Sequence, residues 1–127
     1  MTSDDKMLLA VPSEGPGGLE AQRSGHFGKC DCFTLVELEK SKLRGVRVLQ
    51  NPPHVDGGCM RPVELLAAHG VTALIVSGIG GRPLEGFKNA GIEVYFEEHL
   101  PLVRQVVRAM QAGDVRTMQP GWVCGGH

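Results

Sequence analysis

Hydrophobic positions in this chain follow two rhythms. Before residue 50 the apolar runs are short and strand-like: Met7-Leu8-Leu9-Ala10-Val11-Pro12, Cys32-Phe33-Thr34-Leu35-Val36-Glu37 and Gly45-Val46-Arg47-Val48-Leu49. The last two, joined through the polar Glu39-Lys40-Ser41-Lys42 turn, read as an antiparallel pair. From Arg61-Pro62 the period changes. Val63, Leu66 and Ala67 mark one face of a short helix ended by Gly70, and Val71-Thr72-Ala73-Leu74-Ile75-Val76 is a continuous apolar strand of the kind buried on both sides. Pro83 opens a second helix carrying Leu84 and Phe87 and closed by Gly91, and Ile92-Glu93-Val94-Tyr95-Phe96 supplies a further strand. Pro101 opens a third helix, with Val103, Val106, Val107 and Met110 on one face before Gly113. The pattern predicts a single layered α/β domain over residues 1–116 with a mixed five-stranded sheet, then a tail over 117–127 that is flexible or covers a site.

Composition narrows the class. With 127 residues, 42% hydrophobic and 21% charged, the chain has enough apolar surface for one core and is not a disordered protein. A formal charge of -1 gives no basic field to attract nucleic acid or anionic lipid. No apolar run is long enough to cross a bilayer, and Met1-Thr2-Ser3-Asp4-Asp5 lacks the basic region of a secretory signal, so the expected setting is cytoplasmic, with the four cysteines held as thiols.

Candidate chemistry gathers in the loops. Gly15, Pro16, Gly17, Gly18 and then Gly25-His26-Phe27-Gly28 make the connection after the first strand long, as in a binding loop or mobile segment. Cys59, after Gly57-Gly58 and just before a helix start, has the best case as a ligand, because that position favours the thiolate that binds soft metals; its plainer reading is a small buried hydrophobe. His54 is a second ligand candidate or a solvated loop histidine, and His26 a ligand, a donor to cluster sulfide or a loop anchor. Cys30 and Cys32 share a face if the strand already includes Cys30, and then share a metal; packing beside Thr34 and Val36 explains Cys32 equally well. The turn Ser77-Gly78-Ile79-Gly80-Gly81-Arg82-Pro83 lacks a nucleotide fingerprint, but Gly78, Gly80 and Gly81 permit close backbone approach and Arg82 offers a guanidinium to an anion. Cys124 and His127 add a thiolate and an imidazole at the end of the tail, beside a Trp122 suited to docking. His69 and His99 have local roles near helix ends, as do Glu97 and Glu98.

The combination of Ala10-Val11-Pro12, His26-Phe27-Gly28, Phe33, Gly70-Val71, Ser77-Gly78-Ile79-Gly80-Gly81-Arg82-Pro83-Leu84 and Ala90-Gly91-Ile92-Glu93-Val94-Tyr95 resembles the dinitrogenase iron-molybdenum cofactor biosynthesis family, most of all its small stand-alone archaeal and bacterial members. The likeness spans about residues 7 to 112. It implies a ribonuclease H-like three-layer sandwich, an iron-sulfur or related iron-molybdenum cluster as cofactor, and a metallocofactor assembly or acceptor protein as partner. It also draws attention to His54, Cys59 and the Cys124-Gly125-Gly126-His127 ending, while Cys30 and Cys32 stand where the family commonly has a small residue and an aromatic.

The leading expectation is a monomer or weak homodimer that binds, carries or transfers such a cluster, with no catalytic residues assigned. The competing classes are a thiol-dependent redox enzyme or metal hydrolase using Cys59 with His26 or His54, and a regulatory interaction domain without cofactor.

Overall fold

The computed structural model describes residues 6–24, 30–51, 61–79 and 81–117, and for residues 61, 62, 81 and 82 the backbone alone. Its elements run β1 (Lys6–Ser13), β2 (Cys32–Glu39), β3 (Lys42–Gln50), α1 (Arg61–Ala68), β4 (Ala73–Val76), α2 (Gly81–Asn89), β5 (Glu93–Phe96), α3 (Val103–Ala112) and β6 (Arg116–Thr117). The sheet order is β3-β2-β1-β4-β5-β6. β1 is antiparallel to β2 and β2 to β3, whereas β1, β4 and β5 are mutually parallel and β6 returns antiparallel to β5. The sheet therefore has six described strands rather than the expected five; the addition is a two-residue strand whose Arg116-Thr117 carries no hydrophobic alternation.

Strand alternation sorts the core into two halves. On one face Ala10, Phe33, Leu35, Leu74, Val76 and Val94 pack against Val63 and Leu66 of α1 and Leu84 and Phe87 of α2. On the other, Leu9, Val11, Val36, Leu38, Ala73 and Ile75 pack against Val103, Val106 and Val107 of α3. The result is three layers, with β1 and β4 covered on both sides, as their unbroken apolar runs require.

The three described helices end the same way. Gly70, Gly91 and Gly113 take positive φ, and the following N–H reaches back to close the last turn: Val71 to Leu66 O at 3.1 Å, Ile92 to Phe87 O at 2.8 Å and Asp114 to Ala109 O at 2.9 Å. The starts differ from expectation. α2 begins at Gly81, two residues before Pro83, and α3 begins at Val103 rather than at Pro101. For α3 the cause is tertiary: Ala21 O and Leu19 O accept the N–H groups of Val103 and Arg104, each at 3.0 Å, so the loop after β1 caps this helix.

Candidate functional site

Because β1, β4 and β5 are parallel, their ends at Ser13, Val76 and Phe96 lie on one edge of the sheet. The antiparallel register sets Cys32 opposite Ser13 and Gln50 opposite Cys32, so β2 starts and β3 ends there too. The chain leaves this edge after β3 to reach α1 and after β4 to reach α2, so both helices point their N-termini, with their outward-facing amide groups, toward it. β1 connects onward to β2 on one side while β4 flanks it on the other. The carboxyl ends of the parallel strands are where open α/β sheets bind ligands.

Residues 14–24 are fastened over this edge on the α3 side. A chain of hydroxyls does part of the work: Gly18 N–H donates to Thr34 Oγ1 at 3.0 Å, Thr34 Oγ1 and Ser13 Oγ are 2.7 Å apart, and Ser13 Oγ donates to Val11 O at 2.7 Å. Ser13's hydroxyl proton goes to a carbonyl, so Thr34 is the donor between the two hydroxyls. Both residues are fully buried, and both hydroxyls are satisfied. At the far end of the segment, Arg23 Nη1 donates to Glu97 Oε1 at 2.5 Å and to Leu100 O at 2.9 Å, and Nη2 donates to Glu97 O at 2.8 Å. The Glu97 carboxylate also accepts the N–H of His99 at 2.9 Å and of Leu100 at 3.0 Å. Burial pulls the Arg23 guanidinium below its ordinary pKa while Glu97 opposes the shift, and Nε is buried without a partner. Glu97 is thus a clamp between the β1–β2 loop and the start of α3, a long-range role that its local setting near a helix start concealed.

The two described cysteines do not lie side by side on a strand face. β2 begins at Cys32, which shares the parity of Thr34 and Val36 and faces the α3 side, with Sγ 3.5 Å from Gly15 O. Cys30 precedes the strand and packs into the α1/α2-side core at 5% exposure. Neither is in a disulfide. Burial, with smaller opposing and reinforcing contributions from the Ser13 backbone and Cys32, pushes the Cys30 thiol up from 9.0 to about 12. Burial and Asp31 also raise Cys32. Both are neutral thiols at pH 7, and forming the Cys30 thiolate costs on the order of 4 kcal/mol more than at an ordinary site.

Asn51, which the sequence reading overlooked, holds Cys30 in place. Its Nδ2 donates to Cys30 O at 2.8 Å and approaches Cys30 Sγ at 3.7 Å, while its backbone N–H reaches Asp31 O at 3.3 Å. Asp31 in turn accepts Gly15 N–H on Oδ2 at 2.7 Å. Cys30, Asp31 and Asn51 therefore tie the start of β2, the end of β3 and the β1 loop into one corner. A lone Asn before Pro52-Pro53 was the available signal.

Of the other candidates, Ser77 and Gly78 are half-buried at the end of β4, Ile79 is buried, and Gly81 opens α2. His26, His54, Cys59, Gly80, Cys124, His127 and the side chain of Arg82 lie outside the described residues, as do Phe27 and Trp122. Ser24 and Cys30, which flank His26 in sequence, and Asn51 and Arg61, which flank His54 and Cys59, stand at this edge. His69 sits at the end of α1 with Nδ1 3.0 Å from Leu65 O, the local role expected for it. Among the described residues no three His, Cys, Asp or Glu side chains converge as a metal site. What those residues supply is two helix N-termini, a hydrogen-bonded corner and two buried thiols at one edge of the sheet.

Residues 6–113 match the protein family described as dinitrogenase iron-molybdenum cofactor. The chain is 35% identical over 91 residues to an uncharacterized protein of Methanocaldococcus jannaschii, covering 70% of this chain and 73% of the relative. Among solved structures it is similar to the apo form of the orange protein from Desulfovibrio gigas, with TM-score 0.75, 25% identity, and 88% of this chain and 92% of the other covered. It is similar as well to a Thermotoga protein provisionally designated NifB, with TM-score 0.74, 25% identity, and coverages of 94% and 99%.

Proposed function

The chain belongs to the dinitrogenase iron-molybdenum cofactor family, and from that premise we propose that it binds an iron-sulfur or iron-molybdenum-type cluster at the carboxyl edge of its sheet and carries or transfers it to a metallocofactor assembly or acceptor protein. One observation carries the reading: Cys30, Gly78 and Gly81, and the described residues Ser24, Asn51 and Arg61 that flank His26 and Cys59 in sequence, stand at that edge, although they are scattered over more than fifty residues of sequence. The β3-β2-β1-β4-β5 order, with β2 opposed to its neighbours, supports reading the topology as ribonuclease H-like.

The donor set suits such a cargo. Inorganic sulfide clusters are anionic, and the amide groups at the starts of α1 and α2 offer N–H donors to sulfide without a charged side chain. Cys59 is the ligand assigned to anchor the cluster through its thiolate, with His26, His54, Cys124 and His127 as further donors and Arg82 as a counter-charge. Cys30 has a different weight. Its raised pKa makes it a poor first ligand, so in this reading Cys30 and Cys32 shape the wall of the site and ligate only after a cluster has displaced the thiol proton. A site assembled from separate loops, rather than from a closed four-cysteine cage, suits a cargo that must leave.

Metal and acid-labile sulfide analysis of protein isolated without oxygen tests the proposal. Iron with sulfide bound to the folded chain supports it. A single metal without sulfide would favour the thiol or hydrolase alternative, and neither metal nor sulfide after reconstitution would favour an interaction domain without cofactor.

A further inference from the structure

β3 is the outer strand of the sheet, with no strand beyond it among the described residues. Among those residues the exposed large hydrophobics are Leu43, Val46 and Val48, at 42%, 39% and 38%, and all three belong to this strand. Register fixes their face. Leu43 pairs with Leu38, Val46 with Val36 and Val48 with Thr34, which puts them on the α3 side. Lys42 pairs with Glu39 and Arg47 with Leu35, which puts these two cations on the α1/α2 side. The strand carries Lys42, Arg44 and Arg47 and no acidic residue. It is an amphipathic edge, apolar on one face and cationic on the other.

We propose that the β3 edge docks an extended acidic segment of a partner protein, which adds a strand to the sheet with apolar side chains beside Leu43, Val46 and Val48 and carboxylates beside Lys42 and Arg47. Charge decides between this occupant and a second copy. In the self-paired register that sets Val46 against Val48 of a second copy, Arg47 falls opposite Arg47 of that copy, a repulsive cross-strand pair. An acidic strand turns the same charges into attraction. Glu37 and Glu39 reach onto the same strand, Glu39 Oε1 lying 3.4 Å from Arg44 Nε and Glu37 beside Gly45, so the three β3 cations outnumber two carboxylates and the edge keeps a net positive charge. Beside Arg47 there is also room: a cavity of about 200 Å³ is lined by Leu8, Leu35, Glu37, Gly45, Val46 and Arg47. Gly45 keeps it open, since a side chain there would meet Glu37 Oε1 at 3.3 Å.

This surface is independent of what the carboxyl edge binds, and its test needs no cluster. The probes are two synthetic peptides of roughly eight residues, a common strand length, one alternating valine with glutamate and the other valine with lysine. Each is titrated against the unmodified protein by fluorescence anisotropy, with amide hydrogen exchange reporting the location. The glutamate peptide should bind saturably, about tenfold tighter than the lysine peptide, and slow exchange along β3; Arg47→Glu should abolish the preference. Equal affinity for the two peptides, no saturable binding of the glutamate peptide, or protection away from β3 would overturn the proposal. So would a dimer in sedimentation that is lost in Val46→Lys, which would assign the edge to a second copy. If Arg47→Glu fails to fold by circular dichroism, the two-peptide comparison on the unmodified chain still decides.

Discussion

Replacing Arg23 with methionine removes one side chain from a nearly buried clamp, and the structure sets the size of the loss. Arg23 and Glu97 side chains are 6% and 14% exposed, and the guanidinium makes three hydrogen bonds, to the Glu97 carboxylate, Glu97 O and Leu100 O. Breaking a buried ion pair from one side costs about 3–5 kcal/mol because the remaining charge is stranded. Here the Glu97 carboxylate keeps the N–H groups of His99 and Leu100, so the loss should fall at the lower end, about 3 kcal/mol. The orphaned Arg23 Nε disappears with the substitution, which also moderates the cost. Urea denaturation with an unchanged slope gives the measurement, and Tm should fall by roughly 10 °C. In the cycle with Glu97→Gln, the double variant should be more stable than the sum of the single losses predicts, by more than about 1 kcal/mol. A loss below about 1 kcal/mol for Arg23→Met, or additive losses in the cycle, would refute the clamp.

Other expectations follow from single contacts. Thr34→Val keeps the shape of the side chain but leaves Gly18 N–H without its acceptor, and should cost about 1–3 kcal/mol with faster amide exchange at Gly18; unchanged exchange there would contradict the hydroxyl chain. Lys40 and Ser41 both take positive φ in the two-residue turn between β2 and β3, a conformation that asparagine followed by glycine adopts with little strain. The double substitution Lys40→Asn with Ser41→Gly should therefore raise stability by about 1 kcal/mol in the same denaturation assay, and a loss of stability would contradict the turn geometry. The raised Cys30 pKa has a definite sign. The folded state holds this proton more tightly than the unfolded chain, so its stabilisation is intact below about 9 and is lost as pH rises from 9.0 to about 12. Stability curves of Cys30→Ala should therefore fall less steeply over that alkaline range than those of the unmodified chain, and parallel curves would contradict the assignment.

The alternation of helix and strand after residue 60 was legible because each element there carries its own signals: Val63 and Leu66, the apolar Ala73-Leu74-Ile75-Val76, and a glycine at each helix end. Where the structure departs from the sequence reading, the cause is an interaction between distant segments. The Arg23–Glu97 pair spans 74 residues, and Ser13 meets Thr34 across 21, so nothing local announces that the glycine-rich loop is stapled down or that it delays the start of α3. The Glu39-Lys40-Ser41-Lys42 turn was legible from its polarity, but not its geometry, since Lys40-Ser41 carries none of the glycine or asparagine that usually marks positive φ. The placing of Cys30 and Cys32 on different faces depends on the chain at Asp31, just before β2 begins, and spacing alone is silent on where a strand starts. The candidate residues were legible as residue types, whereas the gathering of Ser13, Cys32, Gln50 and Val76 on one edge comes from topology, because β3 and β4 end on the edge where β1 ends.

The most direct test of the proposed cluster site is to map backbone amide resonances of the isotopically labelled protein before and after anaerobic loading with iron and sulfide. Shifts and broadening should concentrate at Cys30, Asp31, Asn51, Ser77, Gly78 and Ile79, and Cys59→Ser should remove both the changes and most of the bound sulfide while leaving the fold intact. Changes centred instead on the opposite edge, around Leu8, Ser41, Gly70 and Gly91, or full loading of the Cys59→Ser chain, would contradict the account.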